Sequence, residues 1–501
     1  MSSTVPGIYI EEIPSGARAI EPVATSVAAF VGRARRGPVD RAVPVRSMVE
    51  FERTFGGLWD ASGLGYAVRA FFANGGTDAV VVRVDDGGAT AEVDLGGGLV
   101  VEAVGPGEWA NSLVVGVSHP AAAEAAAVAM AQGVADPDAV FTLWVEVDGR
   151  TEVFAHVTAV DGPRRVDTVL ESSALVRARA AFPPARPQAG SFPATTAGAE
   201  GTTPASTAYV SGAGESRGIR ALDAVPTVNL LVLPPVTRDG QLPDEVWSQA
   251  LAYARERRAF LLVDPPPQRA VDGVAGWLGD VGLSGAAGRD AAIYYPRLSM
   301  LDPLDGAVRA IAASGAVAGV YARTDAARGV WKAPAGTEAT VRDVVGPADA
   351  LTDAQSGVLN PLGVNAIRSF PGYGTVVWGS RTLAGADALG DEYKYVPVRR
   401  LALHLGESLE RGLAWAVFEP NDEPLWTQLR LAVEAFLQDL FRRGAFAGRT
   451  PDEAFVVRCD RSTMTQADIE SGWVTVLVGF APLKPAEFVI LRIRQRTAGQ
   501  R

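Results

Sequence analysis

The sequence predicts a mixed α/β protein, with a layered sheet-and-helix core, an inserted β-rich domain and a strand arm at each end. Three observations carry this. Apolar runs of strand length alternate with helical periodicities over residues 21–86 and again over 206–384, the pattern of helices packed on a sheet. Between them, residues 87–205 switch to closely spaced strands followed by a Pro/Gly/Ser/Thr-rich return. At the ends, "VPGIYIEEI" (5–13) and "EFVILRIRQR" (487–496) read as strands where chains usually fray.

The core opens on "VAAFVG" (27–32). A helix follows over "SMVEFERTFG" (47–56), where Ser47 and Glu50 have the spacing of a capping box. "GLGYAVRAFFANGG" (63–76) is a second helix closed by Gly75, and "AVVVRV" (79–84) the next strand. In the insert, "LVVEAV", "SLVVGV", "FTLWVEV" and "EVFAHVTAV" read as strands. The return at 182–214 is too poor in large apolar residues to bury a core and reads as a loose linker. The α/β pattern resumes with "VNLLVLPP", a helix around "EVWSQALAYARERRA", "AFLLVDPPP" and "AAIYYP". The uncharged stretch 310–322 is about thirteen residues, short of the roughly 20 that a bilayer span needs, and predicts a buried helix.

Residues 385–484 form a helical and β-hairpin region. Leu401, Leu405, Leu409 and Leu413 recur every four residues on one helical stripe. A second helix has Asn421 or Asp422 as N-cap, Pro424 in its first turn and Gly444 as C-cap. "AFVVRCD" (454–460) and "GWVTVLVGF" (472–480) then predict an antiparallel strand pair.

Composition narrows the function. The 501 residues are 48% hydrophobic and 21% charged, as in ordinary globular proteins, and a net charge of -11 argues against nucleic acid or an anionic membrane as partner. The first residues carry Pro6, Glu11 and Glu12 in place of the basic start and apolar core of a signal peptide. Cys459 is the single cysteine, so no internal disulfide or cysteine-based metal cluster is expected. His119, His156 and His404 are too far apart in sequence for a helical metal pair. No cofactor is expected: there is no phosphate-binding G-x-x-x-x-G-K-[ST] run, and Asp264 after "FLLV" reads as a helix or turn cap. "GESRG" (214–218) fits the nucleophile elbow of serine hydrolases, with Ser216 as nucleophile and one histidine as base. An elbow requires a strand before it and a helix after, whereas this one ends a linker.

The terminal strands are the sharpest feature. In the last one Val489, Leu491 and Ile493 share a face, while Phe488 and Ile490 lead into Arg492, Arg494 and Arg496 on the other. Pro482 and Pro485 stiffen the approach, so the strand need not fold back on its own chain. Such a strand is suited to pair with another chain's open edge.

Residues 363–383, 395–426 and 454–493, with "VPGIYIEEI", "NLLVLP" and "FLLVDPPP", resemble the sheath proteins of contractile tails, from myophage sheaths to phage-tail-like injection particles. The resemblance covers 1–84 and about 218–496; in the insert it is carried only by "GPGEWANSLVVGV". It is closer to single-chain sheaths than to the two-chain sheaths of type VI secretion. It implies a homo-oligomer of hexameric rings stacked around an inner tube protein, with baseplate and terminator or cap proteins as further partners. Assembly would be cytoplasmic, as part of a phage tail or phage-tail-like particle, with no direct membrane insertion. The arms 1–20 and 485–501 would exchange strands between subunits through Ile8, Tyr9, Ile10, Phe488, Val489, Ile490, Leu491 and Ile493. Val456, Val457, Val474, Val476 and Val478 would form the accepting edge. The helix over 425–443 would turn Arg430, Glu434, Asp439, Arg442 and Arg443 toward the tube. Two other readings stay open: an α/β serine hydrolase using Ser216, and a static shell or baseplate component of the same fold.

Overall fold

The computed structural model describes residues 19–179, 186–212, 214–267 and 269–487. They divide into two units. The larger takes residues 25–327 and 334–396; the smaller gathers the residues before 25, then 328–333, and those from 397 onward. The chain therefore passes between them four times.

The larger unit is built on an eight-stranded sheet in the order Gly374–Val377, Val364–Phe370, Ala291–Tyr295, Phe260–Val263, Leu230–Val232, Ala28–Gly32, Ala79–Arg83, Ala42–Val45. The six inner strands are parallel and the two edge strands antiparallel. Strands covered on both faces have no polar side, and Ala28–Gly32, Ala79–Arg83 and Ala291–Tyr295 are buried at every position.

Helices on the sheet follow the local signals, with instructive shifts. Ser47 caps Met48–Phe55 by accepting from the Glu50 N–H at 3.2 Å, but Glu50 reaches the Arg46 N–H at 2.8 Å, one residue before the expected partner. Leu64–Ala73 ends at Asn74, with Gly75 beyond it at φ 103°. The apolar stretch 310–322 is not one helix. Ala310 and Ile311 close the strand Val308–Ile311, and the helix runs over Ser314–Arg328. Asp264 sets that start: its buried carboxylate accepts the N–H groups of Ala313 and Ser314, both at 2.9 Å, and the Ser314 hydroxyl. Gly315 and Gly319 then let this helix press on Leu64–Ala73, since a Cβ would meet Ala67 O at 2.3 Å and Phe71 O at 2.4 Å.

The insert has its own apolar core between a three-stranded sheet (Glu92–Asp94, Val100–Ala103, Val176–Ala178) and a four-stranded one (Gly190–Pro193, Val114–Ser118, Val140–Val147, Arg150–Thr158). Its return departs from the loose linker that composition predicts. Gly190–Pro193 pairs with Val114–Ser118, and Ala199 exchanges backbone bonds with Ala89 at 2.9 Å. Backbone pairing at an edge needs no large side chains, so composition does not reveal it. Arginines fasten the insert to the core: buried Arg83 donates to Gly37 O at 2.8 Å and to Pro106 O at 2.7 Å, and Arg33 to Gly201 O at 2.8 Å.

In the smaller unit, helices Val396–Gly412 and Glu423–Arg442 enclose Leu401, Leu405, Val433, Phe436, Leu437 and Leu440. Ile20 joins this cluster from the other end of the sequence, and the Val23 N–H donates to Ser408 Oγ at 3.2 Å. Asp422 is the N-cap, accepting from Leu425 N at 3.1 Å. Asn421 has another task. Its amide donates to the carbonyls of Ile469 and Trp473, and its oxygen accepts from Trp426 Nε1, tying the helix start to the chain before the last strand.

Candidate subunit-assembly site

The strand pair of the smaller unit is Phe455–Arg458 with Leu477–Phe480, antiparallel, with Val457 opposite Val478. Pro451–Ala454 is a single helical turn that delivers the first strand. Alternation gives the pair two faces. Phe455, Val457, Val478 and Phe480 pack on the helical core, and the Phe446 ring lies 6.1 and 6.0 Å from those of Phe455 and Phe480. On the opposite face Val456 and Leu477 stand 45% and 53% exposed.

The edges are open. Ala481 N–H donates to Ala454 O at 2.8 Å, and hydrogen-bonded pairs alternate along an antiparallel ladder. The backbone groups of Val456 and Arg458 are thereby spent within the pair, while the Phe455 carbonyl and both groups of Val457 point outward on one edge, the Phe455 N–H closing the preceding turn on Pro451 O, and those of Val478 and Phe480 point outward on the other. The sheet has two strands among the described residues, so a row of donors and acceptors faces away on each side.

Of the expected acceptor residues, Val457 and Val478 lie on these edges and Val456 on the exposed face. Val474 and Val476 precede the strand, because Gly472 turns at φ 79°, the Trp473 N–H closes on Asp468 O at 2.8 Å, and Thr475 O accepts from Thr463 Oγ1. Both valines are half-buried against the helical core instead. Phe455 and Phe480 were not singled out by sequence, although the run Phe455–Arg458 shows the parity that places Phe455 with Val457. The arm residues Ile8, Tyr9, Ile10, Phe488, Val489, Ile490, Leu491 and Ile493 lie outside the described residues.

On the helix Glu423–Arg442, the charged residues meant for a tube are partly turned to each other. Arg430 approaches Glu434 at 3.9 Å, Arg443 approaches Asp439 at 3.9 Å, and the Arg443 guanidinium lies over the Trp331 ring at 5.5 Å. The middle of the exposed face is uncharged, with Thr427, Gln428, Leu431 and Ala435 along it.

The hydrolase constellation does not come together. Ser216 is exposed between the helical turn Ser206–Tyr209 and the 3-10 helix Gly218–Ala224, without the strand that an elbow needs. His119 Nε2 lies 2.9 Å from Pro187 O, His156 Nε2 lies 3.1 Å from Glu124 Oε1, and His404 is buried in the smaller unit. Asp264 faces a helix start, and burial raises its pKa despite those donors. Among the described residues no His, Cys, Asp and Glu group could hold a metal, and no helix is long and apolar enough to cross a membrane.

Comparison with known proteins fits this architecture. Residues 208–383 match the phage tail sheath protein central domain, and residues 390–496 the phage tail sheath C-terminal domain, together more than half of the chain. The chain belongs to the phage tail sheath family.

Sheath relatives include the tail sheath protein of Vibrio phage KVP40, 26% identical over 36% of this chain and 25% of that protein. The putative prophage major tail sheath protein of Pseudomonas aeruginosa is 25% identical over 56% of this chain and 69% of that one. The tail sheath protein of Burkholderia phage BcepMu is 31% identical over 31% of this chain and 33% of its own length. This sheath-family chain thus aligns with a quarter to two thirds of the relatives' lengths. Among solved structures, the sheath complex of the extracellular contractile injection system PVC in its contracted state has TM-score 0.59 and 24% identity, covering 99% of both chains. The helical sheath of the anti-feeding prophage, also contracted, has TM-score 0.57 and 24% identity over 99% of this chain and 100% of that one. A sheath tail protein of Listeria innocua has TM-score 0.59 at 12% identity, covering 93% and 97%. The sheath fold therefore extends over nearly the whole chain.

Proposed function

We propose that this chain is the structural subunit of a contractile sheath. It polymerises as stacked hexameric rings around an inner tube, and contraction drives the tube through a target envelope. The observation that carries the reading is the strand pair Phe455–Arg458 and Leu477–Phe480, anchored on one face and, among the described residues, without a further strand on either edge. A strand from a neighbour fits beside each edge: the segment 485–501 on one side and the arm that precedes Ile20 on the other. Each added strand of about six residues makes several backbone bonds worth roughly 0.5 to 1.5 kcal/mol net. Multiplied over a lattice, such joints keep subunits linked while the rigid units rotate between two packings, downhill and without nucleotide. The insert 87–205 faces outward, and the helix Glu423–Arg442 meets the tube through its uncharged stripe, with Arg430, Glu434, Asp439, Arg442 and Arg443 flanking it. The inner tube, baseplate and terminator proteins complete a phage-tail-like particle.

Negative-stain microscopy of the purified chain tests the reading, with tubes of two lengths expected. Removing residues 486–501 should leave a monomer with near-native circular dichroism that builds no tubes, and a synthetic "AEFVILRIRQR" peptide should suppress aggregation through the open edge. Immediate unfolding of the truncated monomer would mean that the segment belongs to its own core, and strand exchange fails.

A further inference from the structure

An open strand edge invites any strand, so a chain that assembles through one edge must close its others. The insert carries the main hazard. Arg150–Thr158 is nine residues long and forms the edge of the four-stranded sheet. Val153 is 64% exposed on it. Yet the outer side of this strand is occupied over its C-terminal half. The chain doubles back so that the Thr158 N–H donates to Arg164 O at 3.0 Å. The Arg164 side chain then extends along the edge, with Nη2 donating to Ala155 O at 2.8 Å and Nε to His156 O at 3.3 Å. Gln132, from the end of the helix Ala122–Gln132, adds a bond to His156 O at 3.0 Å. The register shifts between Phe141 and Leu143, and His156 sits at φ 55°, so a bulge turns these carbonyls out of line with a flat edge.

The neighbouring arginine makes the contrast plain. Arg165 pairs with Asp161 at 2.7 Å and Asp167 at 2.6 Å, whereas Arg164 makes no ion pair with a described carboxylate and spends its guanidinium on main-chain oxygens. A guanidinium holding two successive carbonyls removes the acceptors that an incoming strand would use, and leaves a positive charge where that strand would lie.

We infer that Arg164, with Gln132, is an assembly-specificity guard that closes the insert's edge strand to intermolecular pairing, so that copies join elsewhere. The closure stands on the insert's geometry; that assembly is directed to the C-terminal strand pair rests on the strand-exchange reading above.

The test uses the full-length chain carrying Arg164→Ala with Gln132→Ala. Sedimentation should show association at roughly tenfold lower protein concentration than the parent, about the effect of 1.4 kcal/mol, and peptide-level hydrogen exchange over 150–156 should slow as concentration rises. Adding Val153→Lys should return association to the parent's range. Arg164→Gln alone, which keeps a shorter donor, is a milder variant in case the double one fails to fold, and should fall between the two. A folded variant that associates no more than its parent overturns the inference. So does association that leaves exchange over 150–156 unchanged. Tube formation, scored separately by microscopy, reports on strand exchange, so failure of one reading is distinguishable from failure of the other.

Discussion

At the residue scale, two buried ionisable groups make opposite demands. Asp264 stands in for an N-cap across fifty residues of sequence, giving three donors at a helix start their acceptor. Asp264→Ala leaves two buried N–H groups unpaired and should cost about 1–3 kcal/mol in urea unfolding. Asp264→Asn keeps an acceptor oxygen and should cost less; equal losses for both would mean that the charge, and not the acceptor, holds the helix. His404 is 8% exposed, and its Nδ1 meets no hydrogen-bond partner among the described residues. Burial first, then Arg400 and Arg443, push its pKa down to about 4 from 6.5. The unfolded chain therefore takes up the proton before the folded one. Stability is full above about pH 6.5 and falls as the pH drops toward 4, by at most about 3 kcal/mol. His404→Leu should flatten the melting temperature between pH 7 and 4.5; an unchanged acid slope would place the sensitivity elsewhere.

At the element scale, the insert is coupled to the core more tightly than its return sequence suggests. Replacing 87–205 by a short Gly/Ser loop takes Pro106 O away from Arg83, a side chain only 1% exposed. The stranded guanidinium should cost about 1–3 kcal/mol. Arg83→Met should recover part of that in a melting experiment, while tubes still form. A folded, excised chain that builds no tubes would make the insert part of the lattice. What sequence made legible follows the same logic. Continuous apolar runs announced the buried parallel strands, and the Leu401 and Leu405 spacing announced the helix they lie on, because burial leaves a period in the residues themselves. Asp264 could be read as a cap but not assigned its helix, since its partners lie at Ala313 and Ser314. Val474 and Val476 looked like strand by alternation, and a tertiary bond from Thr463 with the Gly472 turn took them out of it. The strand Gly190–Pro193 left no side-chain signal at all. The edge residues Phe455 and Phe480 required the ladder's parity, which is a property of pairing.

At the scale of the whole molecule, the smaller unit is made from both ends of the sequence. Ile20 is 7% exposed and packs where a Cβ on Gly412 would meet it at 2.6 Å. Ile20→Ala should therefore speed hydrogen exchange over 396–412 and 432–440, at a cost of about 2–5 kcal/mol, while exchange in the larger unit's sheet stays as it was. Uniform acceleration through both units would argue that they unfold together. The same arrangement sets a schedule during translation. Val23 leaves the ribosome 385 residues ahead of Ser408, its hydrogen-bond partner. At about 5–20 residues per second that is a wait of roughly 20 to 80 s, and the larger unit's sheet, whose last strand is Gly374–Val377, is completed in the nascent chain just before the wait ends. The strand pair Phe455–Arg458 and Leu477–Phe480 emerges later still. If subunits join by strand exchange as proposed, a half-made chain thus carries no edge of this kind, and the polysome is spared from joining unfinished subunits.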